Sequence, residues 1–414
     1  MNYSYLKKSD PAVWNIIKTE TSRQADELEL IASENYVSPN VLEAMATVLT
    51  NKYSEGYPDK RYYGGNQNID DIESLAIQRA KKLFNAEHVN VQPLSGSPAN
   101  AAVYMAFLKP GDKVLGLKLD HGGHLSHGHP INFSGILYNF IQYEVNSKTG
   151  KIDMKKVEKI ALKEKPKMIV AGYSAYSREI EWKKFKKIAD KINAYLFADI
   201  AHTAGLIASG LLTNPVPICD VVSTTTHKTL RGPRGAIIMC KQKYARQIDR
   251  AVFPGIQGGP HDHITAAKAV AFGEALKPSF KKYSKQVIKN CQTLAGELIK
   301  LNYKIISNGT DNHLIVIDLT NKNLTGKQAE KNLETVGISV SRSTIPNDPN
   351  PPMNPSGIRL GTPAITTRNM REKEVKEITQ LINQAIINKN NKQIQMRIKT
   401  KVKSLCKKFP VPGI

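Results

Sequence analysis

Lys228 ends a run of unusual order, Val221-Val222-Ser223-Thr224-Thr225-Thr226-His227-Lys228, which continues as Thr229-Leu230-Arg231-Gly232-Pro233-Arg234-Gly235. An apolar, β-branched stretch passes through hydroxyls to a histidine and an amine, then enters a Gly/Pro-rich turn. That order reads as a buried strand whose far end delivers one amine into a polar pocket. An amine with little water around it loses part of its preference for the charged form and becomes a nucleophile. A Schiff base with an aldehyde needs such an amine. Taken alone, the run better fits a strand that ends at the surface with a solvated lysine, as most lysines are.

Other residues bear on the choice. Asp199 follows Tyr195-Leu196-Phe197-Ala198 and sits among small residues, where a carboxylate could hold a ring nitrogen protonated. At about 4 Å and an effective dielectric near 20 such a pair is worth about 4 kcal/mol, or roughly three pKa units. Ser95-Gly96-Ser97-Pro98 is a small-residue turn opening a helix, with Pro98 suited to the first helical position. Its free amides and two hydroxyls fit a phosphate, and they also fit a simple helix cap. His124 follows two glycines and could stack on a ring. Gly258-Gly259-Pro260 offers another close backbone approach. Arg359, in Ser356-Gly357-Ile358-Arg359, suits bidentate carboxylate binding, or else is a surface arginine. His121, His124, His127 and His129 raise the question of a metal, but Gly122, Gly123, Gly128 and Pro130 break up regular zinc-ligand spacing, and no metal is expected.

The elements that would position these groups alternate. Four apolar runs, 113–119, 168–173, 195–198 and 219–222, are separated by helical patterns such as Ile72, Leu75, Ala76 and Leu83, or Trp182, Phe185, Ile188, Ala189 and Ile192. This predicts a mostly parallel central sheet covered by helices, an α/β class in which ligands collect at the carboxyl ends of strands. His121 and His124, then Ser174, then Asp199 and His202, then Lys228 follow the four runs in turn. Four strands thus aim polar groups at one edge, which favours the pocket over the surface strand. We expect residues 1–50 to form a helical N-terminal arm, with a helix from Trp14 to Leu30. Residues 51–277 should form the large α/β domain and 278–414 a smaller α+β C-terminal domain, ending in a basic helix with Ile398, Val402, Leu405 and Phe409 on one side. The loop 53–68, rich in tyrosine and glycine, has the composition of a functional loop.

Composition narrows the class. With 59 Lys and Arg against 36 Asp and Glu the 414 residues carry a formal charge of +23, which attracts polyanions. The lysines are spread along helical polar faces beside glutamates and carry no RNA-recognition, KH or zinc-finger signature, so specific nucleic-acid binding is not expected. Cys219, Cys240, Cys291 and Cys406 lie far apart without a CxxC, as reduced thiols of a cytoplasmic protein would. No stretch is apolar enough to span a bilayer, and Met1 to Lys8 lacks the apolar core of a secretory signal.

An aldehyde, a basic ring nitrogen and a phosphate on the cofactor, with a carboxylate on the substrate, describe pyridoxal 5′-phosphate and an amino acid. Nearly end to end, the chain resembles the serine hydroxymethyltransferase family of aspartate-aminotransferase-like, fold type I pyridoxal-phosphate enzymes. The resemblance rests on LIASENYVSP, NKYSEGYPDKRYYGG, HGGHLSHG, STTTHKTLRGPRG, FPGIQGGP and SGIRLGTPA. It implies reversible transfer of a one-carbon unit from L-serine to tetrahydrofolate, giving glycine and 5,10-methylenetetrahydrofolate, with the cofactor covalent on Lys228. His227 and Thr225 would flank that lysine. Asp199 would hold the pyridinium, His202 would approach the phenolic oxygen, and His124 and Ser174 would contact the ring. Ser95, Gly96 and Ser97 would bind the phosphate.

The resemblance further implies an obligate homodimer, with a tetramer open, in which Tyr53, Gly258 and Gly259 reach the neighbour's cofactor. Glu55 and Tyr63 from that neighbour would serve the substrate hydroxyl and proton transfer. Arg359 and Ser33 would hold the amino-acid carboxylate and Ser343 would contact folate. The chain departs from the family pattern at Leu94, Pro98, Asp120, Ser341 and Ser343. Asp120 is expected to add a carboxylate near the ring pocket. The shorter Ser341 and Ser343, where the family has asparagines, are expected to weaken pterin binding. Two other readings are a folate-independent threonine or 3-hydroxy amino acid aldolase of the same fold, and a basic RNA-binding protein.

Overall fold

Residues 3–414 are described by the computed structural model; Met1 and Asn2, part of the segment read for a secretory signal, lie outside it. The first long helix is Pro11–Asp26, not 14–30: the Asp10 carboxylate accepts from the Val13 amide at 3.1 Å and starts it early. Glu27 turns extended, and β1 (Leu28–Glu29) follows. β2 (Gly56–Tyr57) and β3 (Lys60–Arg61) form a small hairpin in the tyrosine-rich loop.

The main sheet is built from β4 (His88–Asn90), β5 (Lys113–Leu117), β6 (Asn139–Tyr143), β7 (Met168–Gly172), β8 (Tyr195–Asp199), β9 (Val221–Thr225) and β10 (Ala236–Cys240), in the spatial order β4-β10-β9-β8-β7-β5-β6. β6, β5, β7, β8 and β9 run parallel; β10 is antiparallel to both β9 and β4. β7, β9 and β10 are buried at every position, as strands covered on both faces must be. β4, antiparallel to β10, shares the direction of β9, so its carboxyl end feeds Ser95-Gly96-Ser97 to the same edge as Lys228.

One predicted helix face is rotated. In Gln67–Phe84 the buried positions are Ile69, Glu73, Ala76, Ala80 and Phe84, while Leu75 is exposed. The cause is polar: Glu73 is drawn inward by Arg61 at 2.7 Å and Gln92 at 2.9 Å, which apolar periodicity does not register. Pro98 is the third residue of the helix Gly96–Phe107 rather than the first, still within the turn whose amides lack helical partners.

A second sheet comprises β11 (Lys304–Ile305), β12 (Leu314–Asp318), β14 (Ser341–Ser343) and β15 (Gly357–Gly361), all antiparallel in the order β11-β12-β15-β14; β13 (Ile338–Ser339) instead pairs in parallel with β1. Leu28 and Leu30 therefore join the apolar core of this second sheet, together with Ile398, Val402 and Leu405 of the helix Lys392–Lys408. The helix Pro278–Lys300 spans both cores, with Phe280 in the first and Cys291, Leu294 and Leu298 in the second. Arg368, 1% exposed, fastens the chain ends to this unit by donating to the carbonyls of Gln24, Ala25, Glu27, Cys406 and Phe409.

Among the described residues no helix is long and apolar enough to cross a membrane. All four cysteines are free and buried.

Candidate active site

Where the parallel strands end, a cavity of about 550 Å³ opens, bounded by Ser33, Ser95, Gly96, Ser97, His124, Ser174, Asp199, His202, Thr225, His227, Lys228 and Arg359. Twelve residues singled out in the sequence thus meet in one place, although they span 33 to 359. Close backbone approach makes this possible. Gly122 has φ +101°, and a Cβ there would lie 2.8 Å from the Ala175 carbonyl oxygen; its own carbonyl accepts from the Ser174 amide at 2.8 Å. The turn carrying His124 is thereby pinned to the turn carrying Ser174. At Gly96 a Cβ would come within 2.8 Å of the Thr225 methyl, so the Ser95–Ser97 turn lies directly on the strand leading to Lys228.

Burial tunes the amine. It pulls Lys228 down to about 8; Asp199 opposes this, and the charges of Arg359 and Arg234 add to it. The segment itself is held from behind, because Asn35 donates to the Lys228 carbonyl at 2.9 Å. His227 is lowered to about 3 by burial and by the neighbouring lysine. His202 is held neutral far below its ordinary value by burial, with Lys228 and Arg359 adding to the effect, and its Nδ1 lies 3.2 Å from Nε2 of His313.

Asp199 behaves oppositely. Burial alone would protonate it, yet hydrogen bonding and the charge of His127 keep its carboxyl below the usual range. Oδ2 accepts from Asn100 at 2.8 Å and meets Nε2 of His127 at 3.1 Å; Oδ1 accepts from the Ala201 amide at 3.0 Å. Asn100 is oriented in turn by Ser223, whose hydroxyl donates to it at 2.6 Å. His124 is pulled down to about 4, first by burial and then by His127, and its Nδ1 lies 2.7 Å from the Ser126 hydroxyl. Arg359, on β15, donates to the Ser174 carbonyl at 2.6 Å and reaches Ser33 at 3.5 Å, while its Nε is buried and unpartnered. Burial lowers it to about 10.

Asn100, Ser126, His127 and His313 are polar partners of the cavity residues that sequence reasoning passed over. His127 stood in plain view three residues after His124, but only a metal role was weighed for it. Asn100 lies one helical turn beyond Gly96, on the face that Gly96 turns to the site; that spacing was a usable signal.

The remaining candidates form a second cluster that does not line the cavity. Tyr53 and Tyr63 meet edge to face at 5.2 Å, and Glu55 lies against Gly258 and Gly259. Ser343 sits on the edge strand β14 and donates to the Thr344 carbonyl at 3.1 Å; it too lies outside the cavity. Asp120 corrects an expectation. It borders a separate void of about 10 Å³ with His121 and Tyr176, and pairs loosely with Lys118 at 3.9 Å. It is not among the residues that line the ring pocket.

The group this cavity fits can be tested on its walls. A buried carboxylate held ionised from three sides suits a ring nitrogen that must stay protonated, the amide-rich turn suits a phosphate, and the lowered amine suits an aldehyde. A mostly parallel sheet carrying that set defines a fold type I pyridoxal-phosphate enzyme.

Residues 6–382 match the family described as serine hydroxymethyltransferase, and the chain belongs to that family. Its activity is glycine hydroxymethyltransferase: L-serine and tetrahydrofolate are interconverted with glycine and 5,10-methylenetetrahydrofolate, with pyridoxal 5′-phosphate as cofactor.

Proposed function

We propose that the two clusters divide this reaction between two copies of the chain, each cavity being completed by the other copy's Tyr53, Glu55, Tyr63, Gly258 and Gly259. The observation that carries the reading is that the candidates gather in two separate places: those for cofactor and substrate carboxylate line the cavity, with Glu34 among them, while Tyr53 and Glu55 pack beside Gly258 and Gly259 outside it.

Pyridoxal 5′-phosphate, when bound, supplies an aldehyde that links to amines and a ring that accepts the electron pair of a broken bond. Lys228 would hold that aldehyde, its buried amine being partly neutral near pH 8. Asp199 would keep the ring nitrogen protonated, and His124, His202 and Ser174, which line the same cavity, would contact the cofactor. Ser95, Gly96 and Ser97 grip the phosphate. Arg359 and Ser33 fix the carboxylate and so orient the side chain of serine. Thr225 and His227 confine the lysine. Glu55 moves the proton of the substrate hydroxyl, with Tyr63 beside it, and Ser343 meets the folate.

Residues 51–277 form the cofactor-binding domain and 278–414 the smaller one, with 1–50 as an arm shared between them. Four buried thiols suit a reducing compartment, and we assign the protein to the cytoplasm. The test is to add glycine and then tetrahydrofolate to purified protein while recording the cofactor's visible absorbance. A new long-wavelength band that requires folate is expected. Cleavage of 3-hydroxy amino acids with no response to folate would defeat the folate assignment.

A further inference from the structure

Lys268 has no role in the reaction as derived above, yet it is one of the most deeply buried charged side chains, 2% exposed in the helix Asp262–Ala275. Its Nζ donates to three backbone carbonyls, Val91 at 2.5 Å, Ala236 at 3.0 Å and Pro93 at 3.1 Å. No ion pair reaches it among the described residues. Burial draws its amine down to about 7, against the distant charge of Glu73, but three acceptors use all three protons of the ammonium form.

The three carbonyls are not scattered. Val91 and Pro93 belong to the segment joining β4 to Ser95, and Ala236 opens β10, where it pairs with Thr225 of β9. Beside them, Gln257 accepts from the Leu94 amide at 3.3 Å and donates to the Gln92 carbonyl at 2.9 Å. Each of the four residues 91–94 therefore has one backbone group held by Lys268 or Gln257. The lysine stem also fills the space beside Gly235, where a Cβ would lie 2.6 Å from its Cε. An apolar residue of equal length would take the lysine's donors from the Val91 and Ala236 carbonyls, leaving the segment tied to β10 through the Ala236 amide on the Pro93 carbonyl at 3.1 Å, and so loosen it.

We propose that Lys268, assisted by Gln257, is a positioning residue that holds the Ser95–Ser97 turn in register with the Lys228 strand and thereby sets the protein's grip on the cofactor phosphate. The proposal rests on the reading of Ser95-Gly96-Ser97 as the phosphate turn. It gives a second role to Gln257, which immediately precedes Gly258-Gly259, because the segment facing the second cluster also braces the cofactor turn of its own chain.

The test compares pyridoxal 5′-phosphate with pyridoxal, which lacks the phosphate, in reconstitution of holoenzyme from resolved full-length protein. Lys268→Met is expected to weaken the phosphorylated cofactor about thirtyfold while pyridoxal shifts less than about threefold, and Gln257→Ala to cost about fivefold with the same selectivity. A structural defect alone would weaken both ligands equally, and that result overturns the proposal. If Lys268→Met does not fold, Gln257→Ala decides: an unchanged ratio of the two affinities overturns the bracing. Ser97→Ala separates the two layers. A ratio lowered by Ser97→Ala but not by the bracing variants removes Lys268 and Gln257, whereas a ratio untouched by Ser97→Ala removes the phosphate turn itself.

Discussion

The cavity at the sheet edge and the tyrosine–glutamate cluster differ in how their polar groups are kept. Asp199 and Thr225 are 9% and 6% exposed, while Tyr53 and Tyr63 are 56% and 49% exposed. In the cavity, ionisable groups are displaced from their ordinary values by burial and fixed by neighbours, so they are organised before any ligand arrives. In the cluster, the side chains lie open, and the phenol of Tyr53 is raised chiefly by the adjacent Glu55. One set of polar groups is thus fixed within the fold, while the other is presented on its surface.

That contrast can be broken at its strongest point first. Lys228→Gln is expected to lower serine cleavage by at least about a thousandfold and to abolish borohydride-stable attachment of the cofactor. Glu55→Ala should also be nearly inactive in the folate-dependent reaction. Refolding the two inactive variants together should then restore about one quarter of wild-type activity, because half of randomly formed dimers contain one intact pair of clusters. No recovery, with heterodimers demonstrated, would mean that the second cluster does not serve a neighbour.

Inside the cavity, Asp199→Asn removes the charge opposite the ring nitrogen, and about a hundredfold loss of turnover is expected, together with loss of the folate-dependent absorbance band. An unchanged spectrum would count against its role. A milder test is pH. A lysine lowered to about 8 gains neutral amine as pH rises toward that value, whereas an ordinary lysine near 10.5 remains charged throughout. Trapping of pyridoxal 5′-phosphate on cofactor-free protein should therefore accelerate about tenfold per pH unit below 8 and level off above it. Continued acceleration to pH 10 would place the amine in water. The smallest change concerns folate: Ser343→Asn should tighten tetrahydrofolate about fivefold with serine KM unaltered, in steady-state kinetics.

The parallel sheet and the convergence at its edge were legible because both depend on apolar periodicity and on the residue just past each strand. Buried polar partnerships were not. The inward turn of Glu73, the clamp of Asn100 and His127 on Asp199, and the amine of Lys268 are satisfied by residues distant in sequence, and no local pattern announces them. Ser343 shows the complementary limit. A motif can carry a residue to a position, but whether that position borders the cavity within one chain depends on the path of β14.

Arg368 imposes an order on how the molecule is made. Its guanidinium is buried among carbonyls contributed by residues 24–27 and by residues 406 and 409, segments separated by almost the whole chain. Arg368 and β13 can engage residues 24–29 once the chain has reached residue 368, but the guanidinium gains its last two carbonyls only when residues 406 and 409 are in place. A chain cut short before Cys406 would strand a buried cation without two of its acceptors, which would direct an unfinished product toward degradation.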